Sequence, residues 1–126
     1  MNPFTNQDNL SLKIKKLEEK IQRKQIEYDE KVVDCKRDVT IQENILKILE
    51  EKKHELEEKR RTEGLSPTEY ESSKLIEIQR SVAEKMRKKV LKRLNKALDK
   101  RDKELVKLQR KLDNLNLQLH QNFKDA

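Results

Sequence analysis

Apolar side chains recur along the second half of the chain at alternating intervals of three and four residues. The row contains one polar position, Arg101, and its members are Leu91, Leu94, Leu98, Arg101, Leu105, Leu108, Leu112, Leu115 and Leu119. This spacing places every member on one face of an α helix and is the repeat of a coiled coil. The second half is therefore predicted to form a long helix with a leucine seam along one side.

The first half carries a similar row with one irregular step. Its members are Leu10, Ile14, Leu17, Ile21, Gln25, Tyr28, Val32, Cys35, Val39, Gln42, Leu46 and Leu49. The extra four-residue interval between Ile21 and Gln25 is a stutter, which locally unwinds a coiled coil without ending it. The first half is therefore predicted to form a second helix of comparable length.

A short segment between the two rows carries signals that end one helix and begin the next. Its residues are Gly64, Leu65, Ser66, Pro67, Glu69 and Tyr70. Gly64 supplies the left-handed conformation that a helix C-terminus commonly needs. Ser66 suits the N-cap and Pro67 the first helical position, while Glu69 completes a capping box. The two apolar residues of the segment are placed to form a hydrophobic staple.

A connection this short permits only antiparallel neighbours, so the sequence predicts a hairpin. Facing residue numbers should then add up to a constant: Leu10 with Leu119 gives 129, and Leu46 with Val82 gives 128. The predicted fold class is all-α, a long antiparallel two-helix coiled-coil hairpin that associates into a larger helical bundle. The predicted bounds are a flexible tail at 1–8 and a single hairpin at 9–125, with helix one at 9–62, the turn at 63–66 and helix two at 67–123.

The composition argues against an enzyme. Charged residues make up 44% of the chain and hydrophobic ones 33%, which leaves little for a core that encloses a pocket. The sequence has no Gly-rich phosphate loop, paired-cysteine metal spacing or nucleophile elbow, so we expect no catalysis, cofactor or metal. It has no secretory signal pattern and no apolar run long enough for a transmembrane segment, and its single cysteine is Cys35. A cytoplasmic or nuclear location is therefore expected.

Positive charge is concentrated in helix two. Between positions 80 and 111 there are 14 Lys and Arg against 4 Asp and Glu, a surplus of +10 where the whole chain carries +7. The candidate basic face is Lys85, Lys88, Lys89, Lys92, Arg93, Lys96, Lys100, Lys103 and Lys107. Such a face suits an acidic protein, nucleic acid or an anionic membrane surface, or it serves only as a solvated face. No aromatic residue is interleaved with it, so any nucleic-acid binding would be to phosphates.

Further aliphatic residues lie off the seam as traced above. The candidate partner-binding stripe is Ile26, Val33, Ile41, Ile48, Ile76 and Val90. Side chains at sevenfold spacing share one helix face, so this stripe is expected to point outward. A second copy that completes a four-helix bundle, or a helix of another protein, would cover it; scattered surface residues are the plain alternative.

Three functional hypotheses follow from this architecture. The first is a non-catalytic coiled-coil scaffold or adaptor that binds partner proteins through its helical faces. The second rests on a resemblance: in length, turn and charge the hairpin is similar to the FliJ and YscO family of flagellar and type III secretion export machines, which implies a stalk that engages a ring ATPase. The third is a rod that binds nucleic-acid phosphates without reading sequence. Separately, Asn2-Pro3-Phe4 resembles the tripeptide that EH-domain adaptors capture.

Overall fold

The computed structural model of the chain describes the backbone of residues 3–125 and the side chains of residues 7–124. Two helices account for nearly all of it, α1 (Pro3–Thr62) and α2 (Pro67–Asp125), and no strand occurs in the described part. The helices pack against each other, and side chains such as Asp29 and Arg101 meet across them although far apart in sequence. The predicted all-α helical hairpin is confirmed.

Both helices extend further than the sequence indicated. Helix α1 begins at Pro3 rather than at residue 9, and α2 continues to Asp125 rather than ending at residue 123. The flexibility of the tail at 1–8 stays a prediction. Proline suits a first helical position because its φ is already fixed and its missing N–H leaves no bond unmade. Residues 1, 2 and 126 lie outside the described part, so the hypothesis on the Asn2-Pro3-Phe4 peptide stays a prediction.

The turn between the helices has the geometry that its residues favour. Gly64 has a φ of 80°, and its amide donates to the carbonyl of Lys59 at 3.0 Å. The Ser66 hydroxyl accepts a hydrogen bond from the Glu69 amide, and the Glu69 carboxylate accepts one from the Ser66 amide, both at 3.2 Å. This reciprocal capping box satisfies amides that would otherwise lack partners, and α2 then begins at Pro67.

An ion pair joins the end of α1 to the start of α2. Lys59 Nζ lies 2.6 Å from Glu69 Oε2, while the other oxygen of that carboxylate caps α2. The hydrogen bond from Lys59, with further help from Ser66, lowers the pKa of Glu69 below its usual range, and the same bond raises the pKa of Lys59. The cation lies at the negative end of α1 and the carboxylate at the positive end of α2, so both helix dipoles favour the pair. We call this pair the turn clasp.

The two apolar residues of the turn lie in different surroundings. Leu65 is half-buried, whereas Tyr70 is 50% exposed and carries the Lys74 ammonium 4.7 Å from its ring centroid. A cation over an aromatic face is weakly attracted to it. The hydrophobic staple between Leu65 and Tyr70 stays a prediction.

The hairpin divides into two units, each built from a segment of both helices. The terminal unit comprises Met1–Val32 with Lys96–Ala126, and the turn unit comprises Val33–Asn95. The seam of the terminal unit is formed by Ile14, Tyr28, Val32, Leu108 and Leu112, all buried. The seam rows traced in the sequence therefore pack as expected in the terminal unit.

Arg101 is the polar member of this seam. Its side chain is 28% exposed, and its Nη1 donates to Asp29 Oδ1 of α1 at 3.3 Å while its Nε donates to Asp102 at the same distance. A polar residue at a core position stabilises less than leucine, but it favours the one alignment of the helices in which its partner is present. The Asp29–Arg101 pair therefore favours the observed register of the terminal unit.

The seam of the turn unit differs from the one expected. Its buried members are Val39, Leu49, Ile76, Ala83 and Val90. The expectation that Ile76 and Val90 face outward is therefore wrong, since they are only 7% and 4% exposed. Val82, expected to face Leu46, is 60% exposed, and Ala83 takes the place in the seam.

Two arginines explain why this seam was missed. The seam of α2 alternates between buried apolar residues and the partly buried Arg80 and Arg87. A row with a cation at every second position does not look apolar in the sequence. Long arginine stems nevertheless lie along apolar surface while their charged ends reach water or a carboxylate. The three-four repeat of α2 is therefore present in the turn unit with arginine in place of leucine.

Replacing Arg101 by leucine would complete the leucine row. We expect Arg101→Leu to raise the free energy of unfolding by about 1 kcal/mol, because a packed apolar residue at a seam position commonly stabilises more than a partly exposed ion pair. Asp29→Ala should lower it by roughly 0.5–1 kcal/mol, because the guanidinium loses its partner on α1. Urea unfolding followed by circular dichroism measures both changes. Arg110→Leu, at an exposed position of the same unit, is the control, and an equal gain there would contradict the role of the seam.

The turn clasp predicts a pH-dependent contribution to stability. Because the folded-state pKa of Glu69 lies below the unfolded value, the contribution is present above the unfolded pKa and lost as the pH falls through the folded one. Glu69→Gln keeps a capping oxygen but removes the charge. We expect it to lower the melting temperature at about pH 7 and to match the wild type at about pH 2.

Thermal unfolding followed by circular dichroism at both pH values measures this difference. Glu71→Gln is the matched control, because Glu71 is exposed and makes no ion pair in the described part of the chain. A destabilisation by Glu69→Gln that persists undiminished at the acidic pH would show that the charge of the clasp is not responsible.

Candidate protein-binding surface

The two sides of the helix pair in the turn unit differ in chemistry. One side carries ion pairs between α1 and α2, and we call it the ion-paired flank, formed by Glu43, Glu50, Lys53, Glu77, Arg80 and Arg87. The pairs are Lys53–Glu77 at 3.2 Å, Arg80–Glu50 at 3.1 Å and Arg87–Glu43 at 3.7 Å. Each is partly exposed, so each contributes little to stability. Together they cover this side of the seam with charge.

The opposite side exposes aliphatic residues from both helices. We call it the apolar flank, formed by Ile41, Ile45, Ile48, Leu75, Ile78, Val82 and Met86. Their exposed fractions lie between 39% for Ile45 and 62% for Ile78. Residues three, four and seven apart share a helix face, so Ile41 and Ile48 lie beside Ile45 on α1. The apolar flank is therefore continuous on each helix.

A groove runs between the two helices on this flank. It has a volume of about 510 Å³, and Ile45 borders it from α1 while Ile78, Val82 and Met86 border it from α2. The buried side chains Leu49 and Ala83 also line it. Towards the turn a second hollow of about 500 Å³ continues past Leu75, with Lys52 and Gln79 lining both. The apolar flank is thus concave where it meets the seam, and this part is suited to receive a ridge of side chains.

Water disfavours this exposed aliphatic surface. Full burial of one aliphatic side chain is worth roughly 1.5–3 kcal/mol, so covering seven that are about half exposed would release several kcal/mol before entropy costs. Contiguous apolar patches of this kind commonly mark protein or membrane interaction sites, whereas single exposed aliphatics do not. The grouping of the seven residues is what makes the surface a candidate site.

The expected partner-binding stripe is only partly recovered on this surface. Ile41 and Ile48 lie on the apolar flank, Val33 is 52% exposed in the turn unit, and Ile26 is 56% exposed in the terminal unit. Ile76 and Val90 belong to the seam. The residues missed by sequence reasoning are Ile45, Leu75, Ile78, Val82 and Met86. The four residues of this group on α2 are spaced three and four residues apart in the sequence. That spacing shows that they share a helix face, but which face is exposed is known only when the seam residues of α2 are known.

The candidate basic residues are all exposed, in both units. Lys103 lies 3.0 Å from Asp99 of the same helix. Among the described side chains the remainder make no ion pair, and they are Lys85, Lys88, Lys89, Lys92 and Arg93 in the turn unit and Lys96, Lys100 and Lys107 in the terminal unit. These cations differ from Arg80 and Arg87, whose charges are taken up within the hairpin.

The described residues offer no metal-binding cluster of three or more His, Cys, Asp or Glu, and Cys35 is a free, half-buried thiol. Neither helix, over residues 3–125, contains a stretch apolar enough to cross a bilayer. Comparisons of the chain with protein-family models, curated proteins and solved structures found no match. The features of the described residues that bear on function are the apolar flank and the charges beside it.

Proposed function

We propose that this chain is a non-catalytic coiled-coil scaffold or adaptor that binds partner proteins through its helical faces, with the apolar flank as its main docking surface. One observation carries the proposal: seven aliphatic side chains are grouped on one side of the turn unit and remain 39–62% exposed. A hairpin that acted only as a spacer would not need such a surface. We place the protein in the cytoplasm, with the nucleus as the other compartment consistent with its composition.

The contrast between the two flanks supports a docking role. Every ion pair between α1 and α2 in the turn unit outside the turn clasp lies on the ion-paired flank, as the described side chains show. Charge on one side raises the cost of covering it, because charged groups must lose water when a partner arrives. The side of the apolar flank, which carries none of these ion pairs, can be covered at lower cost. A partner would therefore select the apolar flank.

A rod that binds nucleic-acid phosphates is the second candidate, and the unpaired cations of α2 favour it. Lys88, Lys92 and Lys96 are exposed and free of carboxylate partners within the described part of the chain. Such binding would be indifferent to sequence and would fall steeply with salt, because condensed counterions are released. It would leave the apolar flank uncovered, which is why we rank it second. A stalk of the FliJ and YscO type that engages a ring ATPase is the alternative for the same hairpin architecture.

Co-purification of the tagged chain from its native cells tests the proposal. We expect one or more proteins to be enriched with the wild type, and the enrichment to fall about tenfold or more with Ile45→Glu and Val82→Glu, because each places a charge in the apolar groove. Circular dichroism checks that both variants stay helical, as expected for exposed positions.

The matched control is Lys47→Glu together with Glu84→Lys, two exposed residues on the other side of the helix pair that make no ion pair among the described side chains. This double variant should leave the enrichment intact. Partners that are lost equally with control and flank variants would contradict docking on the apolar flank. Recovery of nucleic acid that depends on Lys88 and Lys92 would favour the phosphate-binding rod, and recovery of a ring ATPase would favour the export stalk.

A further inference from the structure

We propose that the apolar flank holds a single amphipathic helix of a partner protein, and that this helix is acidic at one end. Its acidic end lies over Lys85, Lys89 and Lys92 of α2. The inference rests on the proposed function, since it names the partner of the same surface. It goes further in fixing the chemistry and the direction of that partner.

The apolar rows of α2 turn into basic rows within the turn unit. Lys89 follows Val82 by seven residues, and Lys85 and Lys92 follow Ile78 by seven and fourteen. Residues seven apart lie two helical turns along the same face. The apolar flank therefore runs directly into a basic surface on α2. A helix that covers the aliphatic residues and extends past Met86 meets these lysines.

These cations are available to a partner. Lys85, Lys89 and Lys92 are exposed, and the described side chains offer them no carboxylate within ion-pair distance. On α1 the rows of Ile41 and Ile45 continue by seven residues to Asp34 and Asp38, of which Asp34 pairs with Arg37. With Arg93 continuing the row of Met86, this end of the flank has four cations against two carboxylates. It therefore favours an acidic partner.

The other end of the flank, towards the turn, has a different charge. Here the rows continue to Glu55 and Lys52 on α1 and to Glu71 on α2. Two carboxylates and one cation give this end a slight negative surplus. A helix that is acidic along its whole length would be repelled here, because like charges at an interface disfavour binding. The complementary helix is consequently acidic at one end only, and this sets its direction in the groove.

A second copy of the chain complements this surface less well. The turn unit contains 16 Lys and Arg against 13 Asp and Glu, so each copy would bring a net charge of +3. Two such units repel each other at long range. An antiparallel second copy would bring one surplus carboxylate, from its turn end, to a basic end that has two surplus cations. Charge complementarity therefore favours a foreign acidic helix over self-association.

A membrane surface complements the shape of the flank less well. Four of the seven aliphatic residues, Ile45, Ile78, Val82 and Met86, line a concave groove between the two helices rather than a convex ridge. None of the seven residues is aromatic, although Trp, Tyr and Phe are the usual anchors at a bilayer interface. A groove of this form accommodates the apolar stripe of one helix. On α2 the flank extends from Leu75 to Met86, about 16 Å, so about three turns of a partner helix would cover it. A helix that also reaches Lys92 must span about 26 Å, which is between four and five turns.

Synthetic peptides test the proposal directly. The probe is an amphipathic helix of about 21 residues with one apolar stripe, glutamates beside the stripe in one half and glutamines in the other. Matched peptides carry glutamine or lysine in place of the glutamates. Fluorescence anisotropy with the full chain should show the glutamate peptide binding about tenfold more tightly than the glutamine peptide, with a smaller ratio at high salt.

Variants of the chain establish where the charges act. Lys85→Glu with Lys89→Glu should reverse the preference, so that the lysine peptide binds more tightly than the glutamate peptide. The control is Lys36→Glu with Lys47→Glu, which makes the same charge change on the ion-paired side. It should leave the preference unchanged. Val82→Glu should weaken binding of all three peptides at least tenfold, with helix content held constant by circular dichroism.

The direction of the helix is tested by photo-crosslinking. A benzoylphenylalanine at the acidic end of the peptide should crosslink to residues 82–96, as mapped by mass spectrometry. Crosslinks at residues 52–75 would overturn the proposed direction. The proposal of an acidic partner helix would be overturned if all three peptides bound with the same affinity, or if none of the three bound.

Two further results would also overturn the inference. Light scattering that shows a dimer converted to a monomer by Val82→Glu would identify a second copy as the occupant. Sedimentation with phosphatidylserine vesicles that requires Val82, without peptide binding, would identify a membrane surface. The proposed function fails by a different result, namely co-purification of partner proteins that is unchanged by the flank variants. Peptide binding that does not depend on the charge of the peptide would refute only the acidic helix, and the flank would remain a docking surface.

Discussion

The structure depends on one narrow apolar seam between two helices. The chain is 44% charged and only 3% aromatic, and Tyr28 is the one buried aromatic side chain among residues 7–124, so the helices have few large side chains with which to build a thicker core. Within residues 7–124 no charged residue is buried, and none of the larger side chains is fully shielded from solvent. Each seam residue therefore contributes less than a residue of a globular core, and stability comes from repeating the contact over many helical turns.

The composition of the seam decides what the surface can do. In the turn unit α2 places arginines at seam positions, and both guanidinium groups reach carboxylates on the same side, Arg80 to Glu50 and Arg87 to Glu43. That side is thereby charged and already paired. On the other side the bordering residues include the uncharged Gln42, Gln79 and Ile45, so the aliphatic side chains are left accessible. The asymmetry that supports docking thus originates in the residues that hold the helices together.

The fold was largely predictable because its signals are local. The capping box of Ser66 and Glu69 and the left-handed Gly64 depend only on neighbouring residues, and each formed as its chemistry requires. The leucine row of the terminal unit was equally clear. The docking surface was harder, because it requires the register of α2, and arginines at seam positions conceal that register. Ala83 and the exposed Val82 differ by one position, and choosing between them needs the packing of the opposite helix.

The turn clasp also bears on how the chain acquires its fold. Lys59 and Glu69 are separated by ten residues, whereas the Asp29–Arg101 contact closes a segment of 72. The entropy lost on closing a loop increases with the length of the loop, so the turn clasp forms at a low entropy cost. Once it has formed, each successive contact between α1 and α2 closes only a few further residues. Loop entropy therefore favours an order of pairing that starts at the turn and proceeds outwards. During synthesis α1 is complete before any of its seam partners exists, and its apolar row stays exposed to water and to other chains until α2 has been made.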